Sequence, residues 1–408
     1  MVSASVVVAG ARCGRRPPFY KLTSMLPGPP TPAAGADDGL RAYARELEDW
    51  LRTAPPAVVA ASEPRPSFAA RVDAMSELMR VLYDEGFSRY GWPTQVGGLG
   101  GSILHRAVMW DALARHGVAG MALFEHLEIL APALVAMGPE PFVARALPEF
   151  LAGRERWAQG FSEPEAGSDL AALRTRAVKC DDGYLISGRK IWTSWAAYAT
   201  WCLVLARTGT PESRHRGLTA FIVDLRSSGV EARAIEQANG TDELAEVSFD
   251  DVHVPGDRIV GEVDGGWPVA IHILSHERGT FAWFRHCFLL QQLADYAARA
   301  PDGSEAALGD ALVDLAAVRA TSAAGVREHA SGSVLGPRAT ITKLLLCNAE
   351  QAVQDAVVGG DSDLVAGIQD DVTNTLRQEY LFSRIVTVYG GSQQMQLETI
   401  AKQLLALP

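Results

Sequence analysis

The 408-residue chain is poor in cysteine, and none of its five cysteines stands in a Cys-x-x-Cys pair. Cys13, Cys180, Cys202, Cys287 and Cys347 are scattered. This argues against a disulfide framework and a zinc site, and fits a reducing compartment. The nine histidines are equally dispersed, so no metal is expected. Apolar runs of transmembrane length are missing, so no membrane-spanning helix is expected. Positive charge is short as well. The 37 Lys and Arg stand against 48 Asp and Glu, a net charge of -11, which argues against nucleic acid as the main partner. No Gly-x-Gly-x-x-Gly follows a strand, so a Rossmann fold is not indicated. The Gly cluster at 97–101 lacks the Lys-Ser/Thr of a P-loop and reads as a turn.

What is present divides into three stretches. Leu40, Tyr43, Leu47, Trp50 and Leu51 fall at three-and-four spacing, and 71–85 and 104–116 look similar, so 39–156 reads as an α-helical domain. From 157 to 265 the period shortens. Runs at 173–179, 184–192, 201–206, 218–224, 230–235 and 245–249, with turn chemistry between them, predict a compact β-barrel or sandwich. Helical periodicity returns over 266–408, with long helices expected at 269–299, 304–329, 340–358 and 370–388 and a shorter one at 394–405, as in a four-helix bundle. The fold class is thus α+β, with helical flanks around a central β domain. Residues 1–38 carry Arg12, Arg15, Arg16 and Lys21 and no acid before Asp37, which fits a transit peptide or a disordered leader. Ala- and Arg-rich usage favours a cytoplasmic bacterial protein, with the mitochondrial matrix as the eukaryotic alternative.

Two segments carry the most specific signal. The first is an apolar strand, Trp157-Ala158-Gln159-Gly160-Phe161-Ser162, followed by Glu163-Pro164 and the turn Gly167-Ser168-Asp169. The second is Lys190-Ile191-Trp192-Thr193-Ser194-Trp195. Two neighbouring strand ends can offer N–H groups, hydroxyls and an indole to one flat ring. Together they resemble the flavin-binding segment of the acyl-CoA dehydrogenase family, and the helix–β–helix layout is similar to that family's. Gly91-Trp92-Pro93, Val252-His253-Val254-Pro255 and Gly266-Trp267 are placed as the family places them. The resemblance implies FAD, held by Gln159, Phe161, Ser162, Gly167, Ser168, Trp192 and Ser194, with Ser168 also facing the pantetheine arm of an acyl-CoA. The segment Val388-Tyr389-Gly390-Gly391-Ser392-Gln393-Gln394 resembles the family's C-terminal cofactor loop, with Gly391, Ser392 and Gln394 at its matching positions.

Dehydrogenation of an acyl thioester needs a carboxylate over Cα and a donor to the carbonyl oxygen. Most family members place that carboxylate where this chain has Gly390, which keeps only its N–H. A minority place it on the first long C-terminal helix, and Ser275-His276-Glu277-Arg278-Gly279 matches that element. Glu277 is therefore the expected base, Gly390 part of the carbonyl clamp, and Arg278 a structural residue or a CoA-side contact.

Three positions depart from the pattern. Tyr296 to Gly303 replaces an Arg-x-x-Phe-Gly element, leaving Arg299 as a doubtful substitute. Glu165 stands where Gly is usual, which would be strained if the turn needs φ > 0. Leu397 and Glu398 stand where the last helix usually carries Arg. The resemblance implies α,β-dehydrogenation of an acyl-CoA with an electron-transfer flavoprotein as acceptor, in a homodimer, homotetramer or hetero-oligomer. The alternatives are a half-catalytic subunit needing a paralogue, or a same-fold flavoenzyme acting on acyl-carrier-protein substrates or as a monooxygenase.

Overall fold

The computed structural model describes residues 28–30, 38–65, 67–118, 122–298, 300–333, 335–360 and 371–407. The leader expected over 1–38 lies almost wholly outside them, as do Arg299 and Asp370.

The N-terminal stretch is helical: α1 (Asp38–Arg52), α2 (Pro56–Ser62), α3 (Phe68–Asp84), α4 (Ile103–Arg115), α5 (Ala122–Met137) and α6 (Glu140–Leu151). The spacing read from the sequence is the buried stripe of α1, formed by Leu40, Tyr43, Leu47 and Leu51. Ser67 starts α3 by accepting the Ala70 N–H. Ser102 starts α4 in a capping box with His105. Helix α4 is buried on nearly every side, from Ile103 to Ala114.

Eight strands follow: β1 (Trp157–Gly160), β2 (Arg176–Cys180), β3 (Gly183–Ser194), β4 (Trp201–Arg207), β5 (Leu218–Asp224), β6 (Val230–Ala234), β7 (Leu244–Pro255) and β8 (Ile259–Val260). They join in one sheet, ordered β6-β7-β3-β2-β4-β5-β8, with β1 alongside β4 in parallel. Every residue of β4 is buried. Trp201, Leu203 and Leu205 point into the core shared with the helices, while Cys202, Val204 and Ala206 point into a second core internal to the β domain. A strand with two apolar faces is what a sequence without polar alternation produces.

The C-terminal stretch holds α7 (Gly266–Arg278), α8 (Phe281–Ala297), α9 (Glu305–Ala330), α10 (Ala339–Gly360), α11 (Asp371–Ser383) and α12 (Gln393–Thr399). The single helix expected over 269–299 is two helices, broken at Gly279-Thr280. Gly279 leaves helical geometry at φ -105 and ψ -84. A Cβ there would lie 2.3 Å from Leu335 Cδ1, so the break admits the segment leading into α10. At its other end α7 is seated on β5, where a Cβ on Gly266 would lie 2.8 Å from the Thr219 carbonyl carbon. Among the described residues no helix is long and apolar enough to cross a membrane.

Candidate active site

The two strand ends picked out from the sequence are tied together. The Ile191 N–H donates to the Ser162 carbonyl at 3.0 Å. Beneath them lies a buried ion pair. Lys190 Nζ, with no exposed surface, donates to Glu163 Oε1 at 2.7 Å and to the Phe161 carbonyl at 3.1 Å. Glu163 also accepts the N–H groups of Arg174 at 2.6 Å and Thr175 at 2.9 Å. Burial pushes the Glu163 carboxyl up, but Lys190 and these donors outweigh it and hold it below the usual range. Burial lowers the proton affinity of Lys190, yet the short contact to so well-supported a carboxylate keeps the pair ionic.

The end of β3 is distorted. Its register with β7 shifts between Lys190 and Thr193. Trp192 has φ 58 and Trp195 φ 68, both left-handed for residues that rarely adopt it. Trp195 is buried and stacks on Phe68 at 5.2 Å, anchoring the bend on α3. Trp192 stands 56% exposed, a large apolar plane without cover. Ser194 is half-buried, and the Thr193 hydroxyl is fully buried without a partner.

The other expected contacts lie on β1 and in the segment that follows it. Gln159 and Ser162 are half-buried, and Gly167 and Ser168 lie on the exposed turn. Phe161 packs into the core at 6% exposure, so it presents backbone rather than ring. Glu165 is not among the non-glycine residues with positive φ, so its presence in the turn carries no such strain.

A second group gathers around the end of α7. Gly390 and Gly391 follow each other with φ 67 and 91, a pair of left-handed residues that glycine permits. Their carbonyls are held from below. Arg278 Nε donates to the Gly390 oxygen at 2.9 Å, and Gln396 Nε2 to the Gly391 oxygen at 2.8 Å. Ser392 caps α12 by accepting the Met395 N–H, and Gln394 is exposed in its first turn. No acceptor among the described residues takes the Gly390 N–H.

Glu277 sits directly against this loop. A Cβ on Gly390 would lie 2.9 Å from Glu277 Oε1. The residue is half-buried, but its Oε2 is fully buried and has no hydrogen-bond partner. Burial raises its proton affinity, with Lys343 and then Arg278 opposing. The two positions at which the family resemblance implies a base are therefore neighbours in space.

Sequence reasoning missed Glu163, Lys190, Lys343 and Gln396. The first two are 27 positions apart, and no local pattern pairs them. Leu397 and Glu398, which stand where the family usually carries Arg, are exposed. No hydrogen bond among the described residues joins the strand-end group to the loop group; α5 packs against both β1 and α7.

The strand-end group fits a flavin. An uncovered indole offers a flat face, and a buried, unpartnered hydroxyl beside the half-buried Ser194 offers polar atoms to a ring edge. The comparisons agree. The acyl-CoA dehydrogenase N-terminal, middle and C-terminal domains match residues 46–154, 158–252 and 264–405. The chain is 34% identical over 330 residues to acyl-CoA dehydrogenase IpdE1 of Mycobacterium tuberculosis, covering 79% of this chain and 85% of that one. It is 33% identical to IpdE1 of Mycolicibacterium smegmatis, covering 79% and 86%. Among solved structures, the Tcur3481-Tcur3483 steroid ACAD superposes with a TM-score of 0.76 at 25% identity, over 92% of this chain and 99% of that one. The chain belongs to the acyl-CoA dehydrogenase family and is an FAD-dependent oxidoreductase.

Proposed function

We propose that this chain oxidises an acyl-CoA thioester to its α,β-enoyl product, with Glu277 as the base, and passes the electrons to an electron-transfer flavoprotein. The observation that carries the reading is the half-buried Glu277, whose buried Oε2 has no hydrogen-bond partner and whose Oε1 would lie 2.9 Å from a Cβ added at Gly390. A carboxylate whose proton affinity is raised by burial is matched to removing a weakly acidic α-proton. The Gly390 N–H is available to the thioester oxygen. Arg278 acts through the Gly390 carbonyl, setting the loop rather than touching the reacting atoms. Gln159, Ser162, Trp192, Thr193 and Ser194 would hold the flavin ring, with the backbone of Phe161 and the Gly167-Ser168 turn beside them. Gly391, Ser392 and Gln394 supply the C-terminal side. FAD, when bound, accepts the β-hydrogen with its electron pair.

The substrate class follows by similarity. The structural neighbour named a steroid ACAD supports a bulky, ring-bearing acyl group over a short linear one. A partner subunit, either a second copy or a paralogue, fits the exposed Val388, Met395 and Leu397 flanking the glycine loop.

The test is anaerobic mixing of the purified yellow protein with linear, branched and steroid-side-chain acyl-CoAs, with and without co-expressed paralogues. Bleaching of the flavin band by the ring-bearing thioester is the expected result. Glu277→Gln should keep the colour and lose the bleaching. Retained reduction in that variant removes Glu277 as the base.

A further inference from the structure

We propose that Lys343 is a positioning residue for the proton-abstraction step: its buried ammonium fixes the ionisation of Glu277 and seats Tyr389-Gly390 against that carboxylate. The proposal rests on the reading of Glu277 as the base.

Lys343 lies on α10 at 1% exposure, and its Nζ has no hydrogen-bond partner. Burial lowers the proton affinity of Lys343, with Cys347 and then Glu277 opposing, so an ammonium there is costly and something must hold it. The ammonium sits 3.8 Å from the centroid of the Tyr389 ring, a cation–π contact. Tyr389 is followed by Gly390, whose added Cβ would lie 2.9 Å from Glu277 Oε1. Ammonium, ring and carboxylate thus bear on one two-residue segment. Neither charge is spent on an ordinary partner: Nζ has none, and Glu277 Oε2 has none.

The other charged and titratable groups near this pair are engaged elsewhere. Arg278 uses Nε on the Gly390 carbonyl. On α10, Glu350 is bound to Arg285 at 2.7 Å, and Cys347 Sγ donates to the Val386 carbonyl at 3.1 Å. His276, beside Glu277 in sequence, is held neutral, its pKa pulled to about 3 chiefly by burial. His272 and His329 are lowered by burial in the same way. Among the described residues, Lys343 is thus a cation near Glu277 whose charge is met by a ring and no hydrogen-bond partner. Desolvation pushes the Glu277 proton affinity up, and a nearby fixed cation limits that rise, so the carboxylate stays available as a base.

The experiment follows the carboxyl band of Glu277 by infrared titration of the substrate-free holoenzyme, assembled with whatever partner subunit it needs. The band is assigned by its disappearance in Glu277→Gln. In Lys343→Met the titration midpoint should move up by at least about one pH unit, and the acidic limb of flavin reduction should move with it. Lys343→Arg, which keeps the charge, should return most of that shift. Lys343→Gln serves as a second neutral variant. An unchanged midpoint in either neutral variant overturns the proposal. Failure of both to fold overturns it too, because the lysine would then be scaffold. Flavin reduction retained in Glu277→Gln sinks the base reading but leaves the titration readable. An unmoved midpoint sinks the role of Lys343 and leaves the base reading intact.

Discussion

Replacing Lys190 with methionine tests the clamp under the strand ends. Methionine nearly matches the volume but removes an ammonium with no exposed surface, 2.7 Å from Glu163 Oε1. The carboxylate left behind has a side chain only 5% exposed and keeps two backbone N–H donors, from Arg174 and Thr175. Breaking a buried pair from one side costs about 3–5 kcal/mol. The surviving donors place this case near the lower end. The Phe161 carbonyl loses its donor as well, at about 1 kcal/mol. A loss of about 4 kcal/mol lowers the folding constant by roughly a thousandfold. The assay is urea unfolding of the apoprotein, followed by tryptophan fluorescence, with flavin retention read from absorbance after gel filtration. Glu163→Met in the Lys190→Met background should recover part of the loss, because no lone charge remains. Recovery stays incomplete because the Arg174 and Thr175 N–H groups then lack an acceptor. The pH dependence has a definite sign. Glu163 has its proton affinity depressed in the fold, so the clamp stabilises above the ordinary carboxyl pKa and fades as pH falls through the depressed value. That acid-side loss should be absent in the double variant. A single-variant cost below about 1 kcal/mol, with flavin retained, would refute the reasoning.

Three further outcomes are expected. Glu277→Gln should abolish flavin reduction while shifting the melting temperature at neutral pH by no more than roughly 2 °C, because relief of a carboxylate whose proton affinity burial raises is offset by the counter-charge that the buried Lys343 loses. Because folding raises the Glu277 proton affinity, the relief should vanish in calorimetry below the ordinary carboxyl pKa and be complete above the raised one. Trp192→Gly should leave apoprotein stability within about 1 kcal/mol, relief at φ 58 offsetting glycine entropy, yet weaken flavin binding at least tenfold by fluorescence titration. Gly188→Ala should cost about 2 kcal/mol or more in the same unfolding assay, because its φ is 150 and the new Cβ would meet Thr175 Cα at 2.6 Å.

Strand and helix periods were legible because each follows from where apolar residues recur, as the α1 stripe and the apolar run 201–206 of β4 illustrate. The break at Gly279 was not. A lone glycine in an apolar helical run is ordinary, and the cause is the approach of Leu335, 56 positions away in the chain. At the site, the positions of Trp192, Gly390 and Glu277 were legible through family resemblance, but their geometry was not. Nothing local announces that Trp192 sits in a register shift, or that Lys190 finds Glu163. Lys343 reads as one polar residue in a helix, and only packing reveals that it faces an aromatic ring with its charge unspent.

That a Cβ added at Gly390 would lie 2.9 Å from Glu277 Oε1 also bears on how such enzymes diverge. The acid can be rooted on either of two segments. With Glu277 where it stands, a glutamate at 390 would crowd its carboxylate and force that flexible end to move. Moving the acid between roots therefore requires two coordinated changes, a loss at one and a gain at the other. The halfway genotypes are either crowded or without any acid, which makes the choice of root a durable mark of lineage.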